Sequence, residues 1–274
     1  MRRALSWLVT AAIVPALWVR AGTASADPIA SRAFTAPTAW LPPANVIVAS
    51  AGLDMRELVG DSRVDDSLIV SVGLGGIAAL ELGTDSDIRA CVDCTVRPVS
   101  TWLGRAGFRI GARQDAWFAG MPALVLGART TYTSRSPFED ARLAEIYAVA
   151  SRVLGPLRAH LGAAISDASH GGSTADGADD VEQGPRLRPL AGLEWTPSQY
   201  PKTSLVGDVA WIPRLEETRI EVEWVASWGV RYQAVAWASI ELFVRHREEG
   251  ALADSAVLMR VHGVLDPNSG GSKR

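Results

Sequence analysis

Leu157-Arg158-Ala159-His160-Leu161-Gly162-Ala163-Ala164-Ile165-Ser166 sets Leu157, Ala159, Leu161, Ala163 and Ile165 on one face of an extended chain and Arg158, His160, Gly162, Ala164 and Ser166 on the other. A two-residue period held over about ten residues belongs to a strand with one oily side and one polar side. The same swap recurs in twelve stretches: 44–53, 66–74, 76–83, 101–113, 121–133, 142–154, 157–167, 187–196, 204–213, 218–232, 236–248 and 255–265. Turn residues separate them. The repeat predicts an all-β chain, folded over residues 44–265 as a transmembrane antiparallel up-and-down β-barrel of about twelve strands.

The connections point the same way. Gly73-Leu74-Gly75-Gly76, Leu154-Gly155-Pro156 and Gln233-Ala234-Val235 are tight, whereas 54–65, 84–100 and 168–186 are long and polar. Short turns on the periplasmic side and long loops outside are the habit of outer-membrane barrels with an even strand count. The middling lengths of 114–120 and 197–203 leave ten to fourteen strands open.

Residues 1–26 read as a secretory signal peptide. Arg2 and Arg3 precede an apolar run from Leu5 to Val19, and Ala24-Ser25-Ala26 offers a small-residue cleavage site before Asp27. A single membrane-anchoring helix is the weaker alternative, because Pro15 and Arg20 cut the run short. Residues 27–43, rich in Ala, Pro and Thr, read as an irregular periplasmic lead-in, and 266–274 as a polar tail. Loss of Arg2, Arg3 and Arg20 takes the formal charge from −3 to −6, which argues against a nucleic-acid partner. No later stretch approaches the roughly 18 unbroken apolar residues of a helical span, so the expected partners are outer-membrane lipid and, during assembly, the barrel-insertion machinery.

A soluble ligand-binding barrel also alternates, with its oily face inside. The two faces must therefore be told apart by content. In 101–113, Trp102, Ala106, Phe108 and Ile110 oppose Arg105, Arg109 and Arg113; in 218–232, Val222, Trp224, Trp228, Val230 and Tyr232 oppose Glu221, Glu223 and Arg231. Rows of charge and glycine fit a lumen, and aromatics at strand ends fit interfacial girdles. The lumen network read this way comprises Arg105, Arg109, Arg113, Arg158, Arg188, Glu194, Asp208, Glu221, Glu223, Arg231, Glu241 and Arg245, together with Glu81. It is either a selectivity ladder along a pore or a mutually neutralising filling of a narrow barrel.

Two stretches carry a resemblance. Ala36-Pro37-Thr38-Ala39-Trp40-Leu41-Pro42-Pro43, leading into Asn45-Val46-Ile47-Val48-Ala49, resembles the opening of YjbH-like outer-membrane barrels associated with exopolysaccharide, and Arg188–Pro197 is similar to a strand motif of that group. The resemblance implies an envelope barrel linked to polysaccharide and no catalytic residue. This chain is short for the group, and its last strand lacks a closing aromatic.

No cofactor is expected. Cys91 and Cys94 supply half of a zinc site at most; in an exported chain they predict a disulfide closing a small loop, with redox chemistry the lesser reading. The acidic run Asp176, Asp179, Asp180 and Glu182, inside a loop read from Ser169 to Gly184, is a candidate cation holder or simply a solvated surface. His160, His170, His246 and His262 show no sequence pairing with a nucleophilic serine, and no Gly-x-Ser-x-Gly occurs. Glu194 with Glu241 or Glu223 is the carboxylate pair a glycoside hydrolase would need. Porin-like passage of small solutes, polysaccharide association and a receptor or structural barrel lead these enzymatic readings.

Overall fold

The computed structural model describes residues 32–54, 67–85, 88–91, 99–100, 102–135, 141–171, 181–216, 218–248, 252 and 255–267. The signal peptide 1–26, Cys94 and the acidic residues Asp176, Asp179 and Asp180 lie outside them. Among the described residues no helix is long and apolar enough to cross a membrane.

Fourteen strands are described: β1 Ile47–Asp54, β2 Ser67–Leu74, β3 Ala78–Asp85, β4 Arg89–Cys91, β5 Val99–Ser100, β6 Trp102–Ala112, β7 Ala123–Arg135, β8 Arg142–Leu154, β9 Leu157–His170, β10 Val181–Trp195, β11 Thr203–Glu216, β12 Ile220–Val235, β13 Ala238–Arg247 and β14 Ala256–Leu265. Twelve of them close an antiparallel barrel, in which β1 pairs with β14 and β10 with β11. Neighbours in sequence are neighbours in the ring, with β3 pairing directly to β6. The turns at one end are tight. Gly75 and Gly76, at φ of +66° and +70°, make the β2–β3 turn in a conformation that side chains resist.

Two expectations are corrected. The connection 84–100 is not only loop: β4 and β5 form a short hairpin, and β4 lies parallel to Arg214–Glu216 of β11, on the far side of the ring from β3 and β6. The loop read from Ser169 to Gly184 is also shorter than expected, because Ser169 and His170 end β9 and β10 begins at Val181. Gly184 and Pro185 imitate a loop there because they occupy a bulge, where the β9–β10 register shifts between Gln183 and Arg186.

The outer wall is apolar. Leu82, Phe108, Ile110, Leu126, Ile146, Leu161, Ile165, Leu187 and Leu242 all stand exposed, Leu161 at 68% and Leu187 at 71%. Water-soluble surfaces rarely carry so large a continuous oily band. Trp117, Phe118, Trp195, Tyr200 and Tyr232 ring its tight-turn end. The inner wall is polar and buried, with Arg109 and Glu241 both fully covered. This is the architecture of a transmembrane β-barrel.

Residues 32–43 do not lead in from outside. They run inside the barrel, where Ala33, Phe34, Ala36 and Thr38 have no exposed surface. The segment enters beside Gly73, where carbonyls of Pro42 and Pro43 come so close that no side chain would fit. It turns back at mid-height through Ala33–Ala36, closed by the Ala33 N–H to Ala36 carbonyl bond and an Arg32–Pro37 bridge. One flank, Ala36, Ala39 and Leu41, packs on Val125, Tyr147, Val149 and Leu190; the other, Ala33 and Phe34, packs on Val206, Phe243 and Leu258. Its composition explains both the missing strand and the fit. Prolines interrupt any ladder, and small residues suit a narrow lumen.

Candidate functional site

The lumen and its stopper form one site. Asp208, projecting inward from β11, accepts three successive backbone N–H bonds from Phe34 (2.9 Å), Thr35 (2.6 Å) and Ala36 (2.7 Å). Such a nest of amides around one carboxylate is a strong anchor, because each bond is charge-assisted. The segment's carbonyls are held as well. Arg231 donates to the carbonyls of Arg32 and Ala33, and Arg260 to that of Phe34. Ser151 accepts the Ala39 N–H at 2.8 Å, Thr35 meets Ser227 at 3.2 Å, and Arg245 donates to the Thr35 hydroxyl. Phe34 stacks on Phe243 with ring centroids 4.3 Å apart.

Behind these contacts runs a continuous belt of side chains. Ser151 on β8 bonds His160 Nδ1 (2.7 Å), whose Nε2 faces Glu194 on β10 (3.3 Å). Glu194 is tied to Arg231 (3.1 Å), and Arg231 to Glu241 (2.6 Å). Glu241 faces His262 Nε2 (3.0 Å), and His262 Nδ1 bonds Ser50 on β1 (2.8 Å). The belt is two Ser–His–Glu arrays joined through one guanidinium. It corrects the sequence reading in which no histidine pairs with a serine. Glu194 and Glu241 are bridged by Arg231 and stand on a shared cation, not across an open cleft as an acid and base would.

The remaining inward charges are grouped locally. Arg109 pairs with Glu81 (3.1 Å) and Arg247 with Glu223 (2.6 Å). Glu145 receives both Arg129 and Arg188, and Arg105 lines the same cavity of ≈ 30 Å³. Near the long-loop end, Arg214 joins Glu216 and Glu221, with Arg219 outside them. Arg158 is partly open to solvent, 3.8 Å from Glu194, beside a recess of ≈ 120 Å³ at the tight-turn mouth. Arg113 departs from expectation: β6 ends at Ala112, and Arg113 lies exposed in the turn over Gly76. Among the described residues no cluster of three metal-ligating side chains occurs; of the acidic run only Glu182 is described, exposed on β10. Cys91 ends β4, so the expected Cys91–Cys94 disulfide falls partly beyond the described residues.

The sequence reading missed Arg129, Glu145, Arg247 and Arg260 and both Ser–His pairs. In β8 the signal was ambiguous, because Leu143, Tyr147 and Val149 beside Glu145 make the inner face as oily as the outer one. For Ser151–His160 and Ser50–His262 it was register. Each pair sits directly opposite across a ladder, a relation visible only once strands are matched.

Fold and lumen together define a closed, internally plugged transmembrane β-barrel. No family model matches the chain, and no curated protein does. Among solved structures it is similar to a KdgM porin in complex with disordered oligogalacturonate, at TM-score 0.51 and 7% identity over 81% of this chain and 99% of that one. The KdgM porin alone gives TM-score 0.46 at 7% identity over 81% and 98%, and the translocator domain of autotransporter NalP from Neisseria meningitidis gives 0.42 at 15% over 81% and 86%. These likenesses concern the fold.

Proposed function

We propose that the chain sits in an outer membrane as a porin-like barrel without a catalytic step, shut by its own residues 32–43, and passes small acidic solutes when that segment withdraws. The observation that carries this reading is the Asp208 nest: the stopper is held by polar contacts to a charged wall, which water can replace as the segment leaves. Solute charge follows from the lining. Seven arginines and seven carboxylates of the wall are buried among the described residues, and half-buried on the same faces Arg105, Arg129 and Arg158 stand against Glu221. A lining with surplus guanidinium favours anions. Short acidic saccharides are the class we favour, supported by the oligogalacturonate bound to the similar KdgM porin and by the resemblance of residues 36–49 and 188–197 to exopolysaccharide-associated barrels.

Planar-bilayer recording of the full chain tests it. The unaltered barrel is expected to be closed for most of the record, and Asp208→Ala to open it into a steady, anion-selective conductance. Silence from both proteins, each folded by heat-modified electrophoretic mobility, would leave the second reading, a structural or receptor barrel. The filled lumen favours that alternative, the recess at its tight-turn mouth measuring ≈ 120 Å³.

A further inference from the structure

The ring is not sealed evenly. β10 and β11 are 15 and 14 residues long, yet only Leu190–Trp195 pairs with Leu205–Ala210. Above that point, toward the long loops, β10 pairs only with β9. β11 pairs with β12 and takes β4 on its other side only at Arg214–Glu216. No ladder therefore joins residues 186–189 to 211–213. Pro189 and Pro213 flank the gap and bring no N–H to it, and the β10 bulge at Gln183–Arg186 turns that strand aside. In hydrocarbon, unpaired backbone polar groups are costly, so a gap of this kind needs other partners. A side chain provides one from within, Arg188 donating to the Trp211 carbonyl (2.9 Å), and nearer the long loops Gln183 reaches over to the Ile220 carbonyl of β12 (2.8 Å).

Directly inside the gap lies the cavity bounded by Arg129, Glu145, Arg188, Trp211, Ile212 and Pro213. One carboxylate, Glu145, serves two guanidiniums there, and Arg188 keeps a buried Nε with no hydrogen-bond partner. Outside the gap is oily wall, with Leu187 and Ile165 exposed. A site with surplus cation within and hydrocarbon without is complementary to a molecule having an anionic head and an acyl tail.

We propose that the β10–β11 seam is a lateral portal through which the head group of an anionic membrane lipid reaches Arg188 and Arg129 from the bilayer. Binding exchanges the Arg188–Trp211 latch for a guanidinium–phosphate bond, and fewer backbone bonds need part here than along the full ladders beside it. The inference rests on the membrane reading above.

The test places the photoreactive residue p-benzoylphenylalanine at Ile212, at Val206 or at Leu161 in the full chain, reconstituted in phosphatidylcholine nanodiscs with or without phosphatidylglycerol. Ile212 and Val206 both face inward on β11, the first at the gap and the second where the ladder is closed; Leu161 faces lipid. Illumination is expected to attach phosphatidylglycerol at Ile212 about tenfold more than at Val206, with adduct mass read on the folded fraction. Arg188→Gln keeps a donor for the Trp211 carbonyl but removes the charge, and should lower the Ile212 adduct about tenfold. Equal labelling at Ile212 and Val206, or labelling at Ile212 indifferent to phosphatidylglycerol, overturns the portal with Arg188 and Arg129 both in place, without recourse to the Arg188→Gln variant. Absence of lipid adducts at Leu161 would instead strike the membrane reading.

Discussion

Arg231 is the residue on which the lumen converges. Its guanidinium serves Glu194, Glu241 and two carbonyls of the stopper from one buried position. Arg231→Met should cost about 3 kcal/mol in urea unfolding from lipid vesicles, because two buried carboxylates lose their shared cation while Arg158, Arg260 and the histidines hold them in part. Combining it with Glu194→Gln and Glu241→Gln should restore most of that loss, since what is expensive is stranded charge and not the absence of the bridge. If the triple variant is weaker still, the belt stabilises by direct attraction. Arg231, Glu194 and Glu241 were legible in the sequence as inward charges, because each interrupts a clear alternation. Their partners His160 and His262 were legible only as polar positions. Nothing along the chain announces that Asp208 would hold three backbone amides of a segment more than 170 residues away.

At the level of elements, periodicity carried most of the information. Every barrel strand lies within a few residues of an alternating stretch, and the largest displacement, at the start of β10, traces to the bulge around Gly184 and Pro185. The β4–β5 hairpin was illegible, because strands of three and two residues have no period and β4 draws its partner from across the ring. Alternation of this kind makes an asymmetric demand on substitution. Leu161→Arg, on the lipid face of β9, should destabilise the barrel by about 2–4 kcal/mol if its position is deep in hydrocarbon. The measurement is equilibrium refolding into vesicles, and a cost below roughly 1 kcal/mol would put that face in water or at the interface. Arg158, three residues earlier on the same strand, is tolerated because its parity turns it inward, toward Glu194.

For the whole molecule, the question is whether stopper and wall are one cooperative body or two. The wall closes through backbone pairing between every neighbouring pair of its twelve strands, bulges included, whereas residues 32–43 contribute no strand and are held by side chains of the wall. Local opening then costs far less for the stopper than global unfolding costs for the ring. Hydrogen exchange on the full chain in nanodiscs separates the two. Amides of Phe34, Thr35, Ala36 and Ala39 should exchange faster than ladder amides of β8 and β12 although they are equally buried, because their protection reports withdrawal of a segment and not rupture of a sheet. Asp208→Ala removes the one acceptor shared by three of them and should speed their exchange by about two orders of magnitude, each orphaned buried donor costing about 1–3 kcal/mol in the seated state, while β8 and β12 stay unchanged. Equal acceleration of wall and stopper would mean that the segment is part of the barrel's core, and a core cannot leave to open a passage.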